Sequence, residues 1–316
     1  MKLIVQIPCL NEEASLPETL RAIPRSIPGV DRVEVLVVDD GSTDRTIEVA
    51  RAHGVEHVVR FTRRKGLASA FMAGLDASLK LGADVIVNTD ADNQYPGHEI
   101  PRLLAPILAG QADMVVGDRG VAELRHFSPT KRLLQRLGSW VVRKVSGTSI
   151  GDATSGFRAF TREAALRINI VSEFTYTLES IIQAGKKKLA IAHLPIEARE
   201  TRPSRLFAST WEYLKRSAAT ILRIYAMYEP FRVFVVLGSL LLLAGSALGL
   251  RYAYFWWMGE IRGHLQSAIL SVLLLIMGLF TLQWGLMADL VASNRKLLED
   301  LLYRVRKMEL PDDRRG

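Results

Sequence analysis

Two aspartate pairs carry the chemistry that the sequence suggests first. Asp90 and Asp92 stand one residue apart in NTDADNQYP, directly after the β-rich run Val85–Thr89. Two carboxylates so spaced in an irregular turn can face one point, and Gln94 adds a neutral oxygen. An all-oxygen set suits Mg²⁺ or Mn²⁺, which usually share their shell with substrate phosphates. Aspartate also stabilises turns at strand ends without any metal, so the spacing alone leaves both readings open. The second pair, Asp39 and Asp40, ends the run VEVLVV and precedes Gly41, Ser42, Thr43 and Asp44. A carboxylate there can accept hydrogen bonds from a base N–H or a ribose hydroxyl, and Ser42 or Thr43 is placed to cap the next helix.

Other chemistries lack support. The sequence contains no GxGxxG, no GxxxxGK[ST] and no HExxH, and its six histidines are scattered. The single cysteine, Cys9, excludes an internal disulfide and a cysteine zinc cluster.

These loops need strands behind them. Leu3–Ile7, Val33–Val38, Val55–Val59, Val85–Thr89 and Met114–Gly117 read as strands, and Thr43–His53 and Leu67–Leu81 as helices. Leu67, Phe71, Leu75 and Leu79 form an i, i+4 stripe on the second helix. The alternation predicts βαβ units, an α/β fold and a mostly parallel sheet. Ligands of such sheets sit beyond the carboxyl ends of the strands, where the polar residues collect.

The 316 residues allow one large domain or two smaller ones. A hydrophobic fraction of 49% is too high for a disordered chain. The apolar residues concentrate late in the sequence. Val233–Leu250 and Leu265–Ala288 contain no charged residue, and a helix crosses a bilayer with about 20 such residues. Gly238, Gly245, Ser246, Gly249 and Gly278 suit close helix–helix contact. Tyr252, Tyr254, Trp256 and Trp257, in the short connection, suit an interfacial belt. Basic residues flank the outer ends of both stretches, Lys215, Arg216 and Arg223 before and Arg295, Lys296, Arg304, Arg306 and Lys307 after. Charge asymmetry therefore places the catalytic domain and both termini in the cytoplasm of an inner-membrane protein with two spans. Phe207, Trp211, Leu214, Ala218, Ile221, Leu222 and Tyr225 recur at helical spacing, as on a helix in the membrane surface or one packed on the soluble part. The expected organisation is a catalytic domain over 1–205, an amphipathic helix over 206–230, spans at 231–250 and 265–288 within a hairpin over 231–292, and a basic tail over 293–316. The net charge of +8 lies largely beside the spans, where topology accounts for it, and no nucleic-acid motif occurs.

PCLNEE at 8–13, VVDDGSTD at 37–44, RRKGLASAFMAGLD at 63–76, DADNQYP at 90–96 and DATSGFRAF at 152–160 together resemble family-2 glycosyltransferases of GT-A fold. They are most similar to the branch of dolichol-phosphate mannose synthase and bacterial polyprenyl-phosphate sugar transferases. The resemblance covers about residues 1–210, and its C-terminal hairpin also occurs in that branch. It implies a nucleotide pocket lined by Pro8, Leu10, Glu12, Val38, Asp39 and Asp40. It implies a Mg²⁺ or Mn²⁺ seat of Asp90, Asp92 and Gln94, with Ala91 between the acids beside the nucleotide sugar. Arg119, Lys131, Arg132, Ser155, Arg202 and Arg205 correspond to acceptor-phosphate positions. This chain departs from the pattern at Leu10, where a tyrosine is frequent, and at the basic loop TRPSRL.

The implied reaction transfers a sugar from a GDP- or UDP-linked donor to a polyprenyl phosphate, inverting the anomeric centre. Asp92 and Arg119 would act on the reacting charges, and Asp152 would orient the acceptor or a basic partner. Lys65 and the N–H groups opening the helix at Gly66–Leu67 could face the donor phosphates. A phosphate monoester is largely ionised at neutral pH, with a second pKa of about 6, so no obligatory base is required. A lipid-hydroxyl acceptor, which would need a base, and a non-catalytic membrane-anchored assembly subunit are the alternatives. The partners expected are the donor, the lipid phosphate and the bilayer, with homo-oligomerisation left open and nucleic acid excluded.

Overall fold

The fold was obtained as a computed structural model. It describes residues 1–119, 140, 142–144, 146–148, 150–171, 176–199, 215, 218–219, 222–223, 228–259 and 264–310. The chain divides into two compact units, Met1–Ile221 with Tyr303–Gly316, and Leu222–Leu302.

The first unit is built on a seven-stranded sheet in the order β3-β2-β1-β4-β6-β5-β7. The strands are β1 (Lys2–Cys9), β2 (Arg32–Asp39), β3 (His57–Arg60), β4 (Val85–Asn88), β5 (Met114–Asp118), β6 (Arg158–Thr161) and β7 (Ile191–Pro195). Among the described strands only β6 runs antiparallel to its neighbours, so the sheet is mostly parallel and GT-A-like, as expected. β1 is buried on both faces from Leu3 to Cys9, which is why it reads as a continuous apolar run rather than an alternating one. Around the sheet lie α1 (Leu16–Ala22), α2 (Thr46–Ala52), α3 (Leu67–Lys80), α4 (Ile100–Leu108), α5 (Arg162–Arg167) and α6 (Tyr176–Lys186). The α3 stripe behaves as its spacing predicts: Phe71, Leu75 and Leu79 are buried, and Leu67 is half-buried.

Three local expectations need correction. β3 begins at His57 rather than Val55, and α2 begins at Thr46 rather than Thr43. Ser42 and Thr43 do not cap α2. Their partner is Asn11: its N–H donates to Ser42 Oγ at 2.9 Å, and its Oδ1 accepts from Thr43 N at 2.9 Å. These hydrogen bonds stitch the loop after β1 to the loop after β2, and an inter-loop bond outcompetes the local cap.

The second unit contains most of two long helices, α7 (Pro230–Trp257) and α8 (Leu265–Glu309). Both are long and apolar enough to cross a membrane, and only 11% of each most apolar window is buried. A soluble core helix would bury most of that window. The helices pack antiparallel along small residues: a Cβ on Gly278 would meet Leu242 at 2.7 Å, and one on Gly238 would meet Leu282 at 2.9 Å. Ser271 Oγ donates to Gly245 O at 2.7 Å. Ser246, read as part of this contact, is exposed instead. The aromatic run 252–257 continues α7, because no glycine or proline lies between Leu250 and Gly259. The basic tail is not a separate element, since α8 continues through it to Glu309. Most of the predicted amphipathic segment, including Phe207, Trp211 and Leu214, lies outside the described residues.

Candidate active site

The sheet order brings the two aspartate pairs to one rim. The chain runs outward from β1 through β2 to β3, then returns to β4 on the other side of β1. At such a reversal the following loops diverge and leave a crevice beyond the carboxyl ends. Cys9, at the end of β1, is in register with Asp39 on β2, and Pro8 with Val38. β4 ends at Asn88, two residues before Asp90. Pro8, Val38 and Ala91 are buried there, and Leu10 and Glu12 are half-buried.

Asp39 is fully buried. Its Oδ1 accepts from Ser42 N at 3.0 Å. Its Oδ2 lies 3.3 Å from Arg60 Nε and receives no hydrogen bond. An acceptor left in this state at the crevice fits an incoming N–H or hydroxyl donor. Asp40 has a different task. Its carboxylate accepts from Lys65 N at 2.6 Å and from Gly66 N at 2.9 Å, fixing the loop that opens α3. The Lys65 and Gly66 amides, the latter one of the N–H groups named for the donor phosphates, are thus held by a carboxylate of the chain itself. The Lys65 ammonium is over the Phe61 ring, 4.6 Å from its centroid.

The DADNQ turn is held from several sides. Thr19 Oγ1, buried on α1, donates to Ala91 O at 3.0 Å. Gln94 N donates to Asp92 Oδ1 at 3.1 Å, and Asn93 adopts a positive φ of 56°. Burial, and then the charge of Asp92, push the Asp90 carboxyl up to about 7, against the opposing pull of Arg119 and Arg158. Two carboxylates under mutual repulsion, with a third oxygen nearby on Gln94, form a donor set that suits a hard divalent cation.

This shift gives a pH dependence. Below about pH 7 the turn must lose a proton before a cation can bind, and above it the carboxylate is already ionised. Apparent Mn²⁺ affinity should therefore fall towards tenfold per pH unit below 7 and level off above it. Calorimetry of Mn²⁺ binding in buffers of different ionisation enthalpy should show proton release at pH 6 and almost none at pH 8; equal release at both would contradict it.

Across the turn, Arg119 and Asp152 form a buried two-pronged pair. Nε donates to Asp152 Oδ2 at 2.7 Å and Nη2 to Oδ1 at 3.2 Å, while Nη2 also reaches Thr154 Oγ1 at 2.7 Å. The remaining Nη1 lies 3.5 Å from Gln94 Oε1. Burial opposes the charge on Asp152, but Arg119 and the Thr154 hydrogen bonds prevail and hold its carboxyl below the usual range. Ser155 is fully buried, and its Oγ accepts from Phe157 N at 3.3 Å. Its visible role is to shape the Asp152–Gly156 turn. Lys131, Arg132, Arg202 and Arg205 lie outside the described residues. Arg199, which precedes the TRPSRL loop, donates its N–H to Gln94 O at 2.9 Å.

Sequence reasoning missed the groups beneath this site. Arg158, the first residue of β6, is fully buried and is opposite Asn88 in the sheet. It donates to Ser155 O at 2.8 Å, Ala153 O at 3.0 Å and Thr177 O at 2.7 Å, and to Ser180 Oγ. Burial pushes this guanidinium down to about 10, and no carboxylate among the described residues forms an ion pair with it. The turn is thus tied to α6 through a lone buried cation. Arg158→Met should destabilise the protein by about 1–3 kcal/mol for each buried carbonyl left without a donor. Arg158→Lys should restore only part, because an ammonium lacks the planar fork. Thermal unfolding of the two variants tests this.

Residues 4–168 match the family described as glycosyl transferase family 2. The chain is 34% identical over 176 residues to an undecaprenyl-phosphate mannosyltransferase of Micrococcus luteus, covering 54% of this chain and 70% of that protein. It is 31% identical over 261 residues to an undecaprenyl-phosphate 4-deoxy-4-formamido-L-arabinose transferase of Klebsiella pneumoniae, covering 79% of this chain and 75% of that one. Among solved structures, glucosyl-3-phosphoglycerate synthase of Mycobacterium tuberculosis with Mn²⁺, UDP-glucose and phosphoglyceric acid superposes with a TM-score of 0.55 at 26% identity, covering 71% of this chain and 80% of that one. A reversed strand order with acidic turns on both sides of its switch point, and a sequence match over more than half the length, lead to one assignment: this chain belongs to glycosyl transferase family 2.

Proposed function

We propose that the protein transfers a sugar from a nucleoside-diphosphate sugar to a polyprenyl phosphate at a membrane surface. The observation that carries this reading is the state of Asp152. The acid on the acceptor-side turn is locked in a two-pronged pair with Arg119, which lowers its affinity for a proton and so makes it a poor base. A hydroxyl acceptor needs its proton removed, whereas a phosphate monoester arrives ionised. A cationic fork next to the acidic turn suits such an acceptor. The relatives from Micrococcus and Klebsiella are both named for undecaprenyl-phosphate transfer, with different sugars.

In this reading Asp39 receives the nucleoside through its undonated oxygen, with Pro8, Leu10, Glu12 and Val38 lining that side. Asp90 and Asp92, with Gln94, hold a Mg²⁺ or Mn²⁺ ion. Bound there, that ion supplies positive charge to the departing diphosphate. Arg119 holds the acceptor phosphate by its edge facing Gln94, and Asp152 fixes the guanidinium in that attitude. Lys131, Arg132, Arg202 and Arg205 add cationic contacts to the same phosphate. The two apolar helices cross the bilayer and keep the unit where a lipid phosphate emerges, with both termini on the cytoplasmic side. A polyprenyl chain could not come to a soluble enzyme, since withdrawing each CH₂ from lipid costs about 0.8 kcal/mol.

Purified protein with Mn²⁺ and a panel of nucleotide sugars should glycosylate undecaprenyl phosphate and leave diacylglycerol unmodified, read by product mass. Transfer to the hydroxyl lipid, or to neither, would overturn the proposal.

A further inference from the structure

Helix α8 carries an exposed apolar face beyond the length of helix that a bilayer core needs. Its charge-free stretch, Leu265–Ala288, measures about 36 Å at about 1.5 Å per residue, already more than the roughly 30 Å of a hydrocarbon core. The helix then continues unbroken to Glu309, with no proline or glycine between Gly285 and Glu309. Its last turn therefore lies roughly 30 Å past the charge-free stretch, and a continuous helix has no bend with which to lie back in the bilayer surface. This step rests on reading α7 and α8 as membrane spans.

The distal part has two faces. Ala292 is buried, and Arg295, Glu299, Tyr303 and Arg306 are half-buried. Tyr303 Oη is 3.0 Å from both carboxylate oxygens of Glu163, and Arg306 Nη1 donates to Ile168 O at 3.2 Å. On the opposite face Val291, Leu298, Leu301, Val305 and Met308 are between 43% and 77% exposed. With Asn294 they recur at alternating steps of three and four. Val291, Leu298 and Val305 occupy the a positions of a heptad, and Asn294, Leu301 and Met308 the d positions.

We propose that this seam is the contact with a second copy of the chain, as a parallel two-stranded coiled coil over Val291–Glu309. Valine at two of the three a positions and leucine at the middle d position suit two parallel strands, and Asn294, at a d position, places one polar residue in the seam. The flanking positions complement one another. Arg304 at g stands five residues before Glu309 at e, so the two meet across a parallel pair as opposite charges. One heptad earlier the same relation joins Leu297 to Leu302, which widens the apolar strip. Two copies crossing one bilayer in the same sense present these helices in parallel, around a two-fold axis along the membrane normal.

Disulfide trapping in nanodiscs tests this with the full-length chain. Native Cys9 is buried and stays silent. Leu298→Cys and Val305→Cys, on the seam, should form cross-linked dimers under mild oxidation at least tenfold faster than Lys296→Cys on an exposed flank. Leu301→Glu should reduce the mass of the particle's protein from two copies to one. Equal rates at all three cysteines, or a single copy in the wild-type particle, would overturn the interface. So would strong quenching of a bimane on Val305→Cys by brominated acyl chains, which would place the face in lipid. Because cross-linking does not depend on turnover, a chain that cross-links but transfers no sugar would remove the proposed reaction and keep this interface.

Discussion

Gly156→Ala should lower turnover by about 100-fold or more, approaching the level of Asp92→Ala, although the added atom is a single methyl group. A Cβ at this position would lie 2.9 Å from both carboxylate oxygens of Asp90 and 2.8 Å from Tyr176 Oη. None of these neighbours yields easily. Tyr176 is stacked on Phe71, with ring centroids 4.1 Å apart, and its hydroxyl accepts from Asn88 Nδ2 at 3.0 Å. Gly156 itself is pinned by its N–H to Tyr95 Oη at 3.1 Å and by its C=O to Asn88 Nδ2 at 2.8 Å. The short Asp90 side chain is the group that must move, and a displaced carboxylate no longer converges with Asp92. Overpacking of this kind destabilises by about 1–3 kcal/mol, so the variant should still fold. The measurement is turnover together with Mn²⁺·nucleotide affinity on protein shown to be folded by thermal unfolding. Activity within threefold of wild type would show that the close approach of Gly156 does not set the position of Asp90.

The same turn shows where sequence reasoning was sound and where it stopped. β1 and β2 were legible because a strand buried on both faces must be apolar throughout, and VEVLVVDD also shows where such a strand ends. The Asp90–Asp92 spacing and the charge-free stretches were legible for similar reasons: local composition dictates local behaviour. β6 was not, because its first residue is an arginine, and nothing in RAFT indicates that Arg158 is fully buried with backbone carbonyls as its principal partners. Thr19 was missed because its partner, Ala91 O, is supplied by a distant loop. The bonds from Asp40 to backbone amides were not legible, because a carboxylate after a strand looks alike in sequence whatever it meets. Its partners here, Lys65 N and Gly66 N, are brought to it only by tertiary structure. The end of α8 was read as a tail because basic residues dominate its composition, while the helical spacing of its leucines carried the structural information.

The Arg119–Asp152 pair gives the second large effect, and its two functions can be separated. Their side chains are only 12% and 4% exposed, so removing one partner leaves a charge buried without compensation, at about 3–5 kcal/mol. Arg119→Met and Asp152→Leu should each lower stability by about that amount. The double variant should recover most of it, because replacing both charges by apolar side chains removes the uncompensated charge altogether. Transfer activity should not follow. The acceptor phosphate still lacks its cationic fork, so kcat/KM for the lipid phosphate should stay about 100-fold or more below wild type in Arg119→Met and in the double variant. Nucleotide binding with Mn²⁺ should remain within about threefold, since the nucleoside side of the crevice is formed by β1 and β2. If activity returned together with stability in the double variant, the pair would be a structural strut and the acceptor phosphate would be held elsewhere. If stability returned without activity, Arg119 would be tied to the reaction itself, with Asp152 keeping the guanidinium in place.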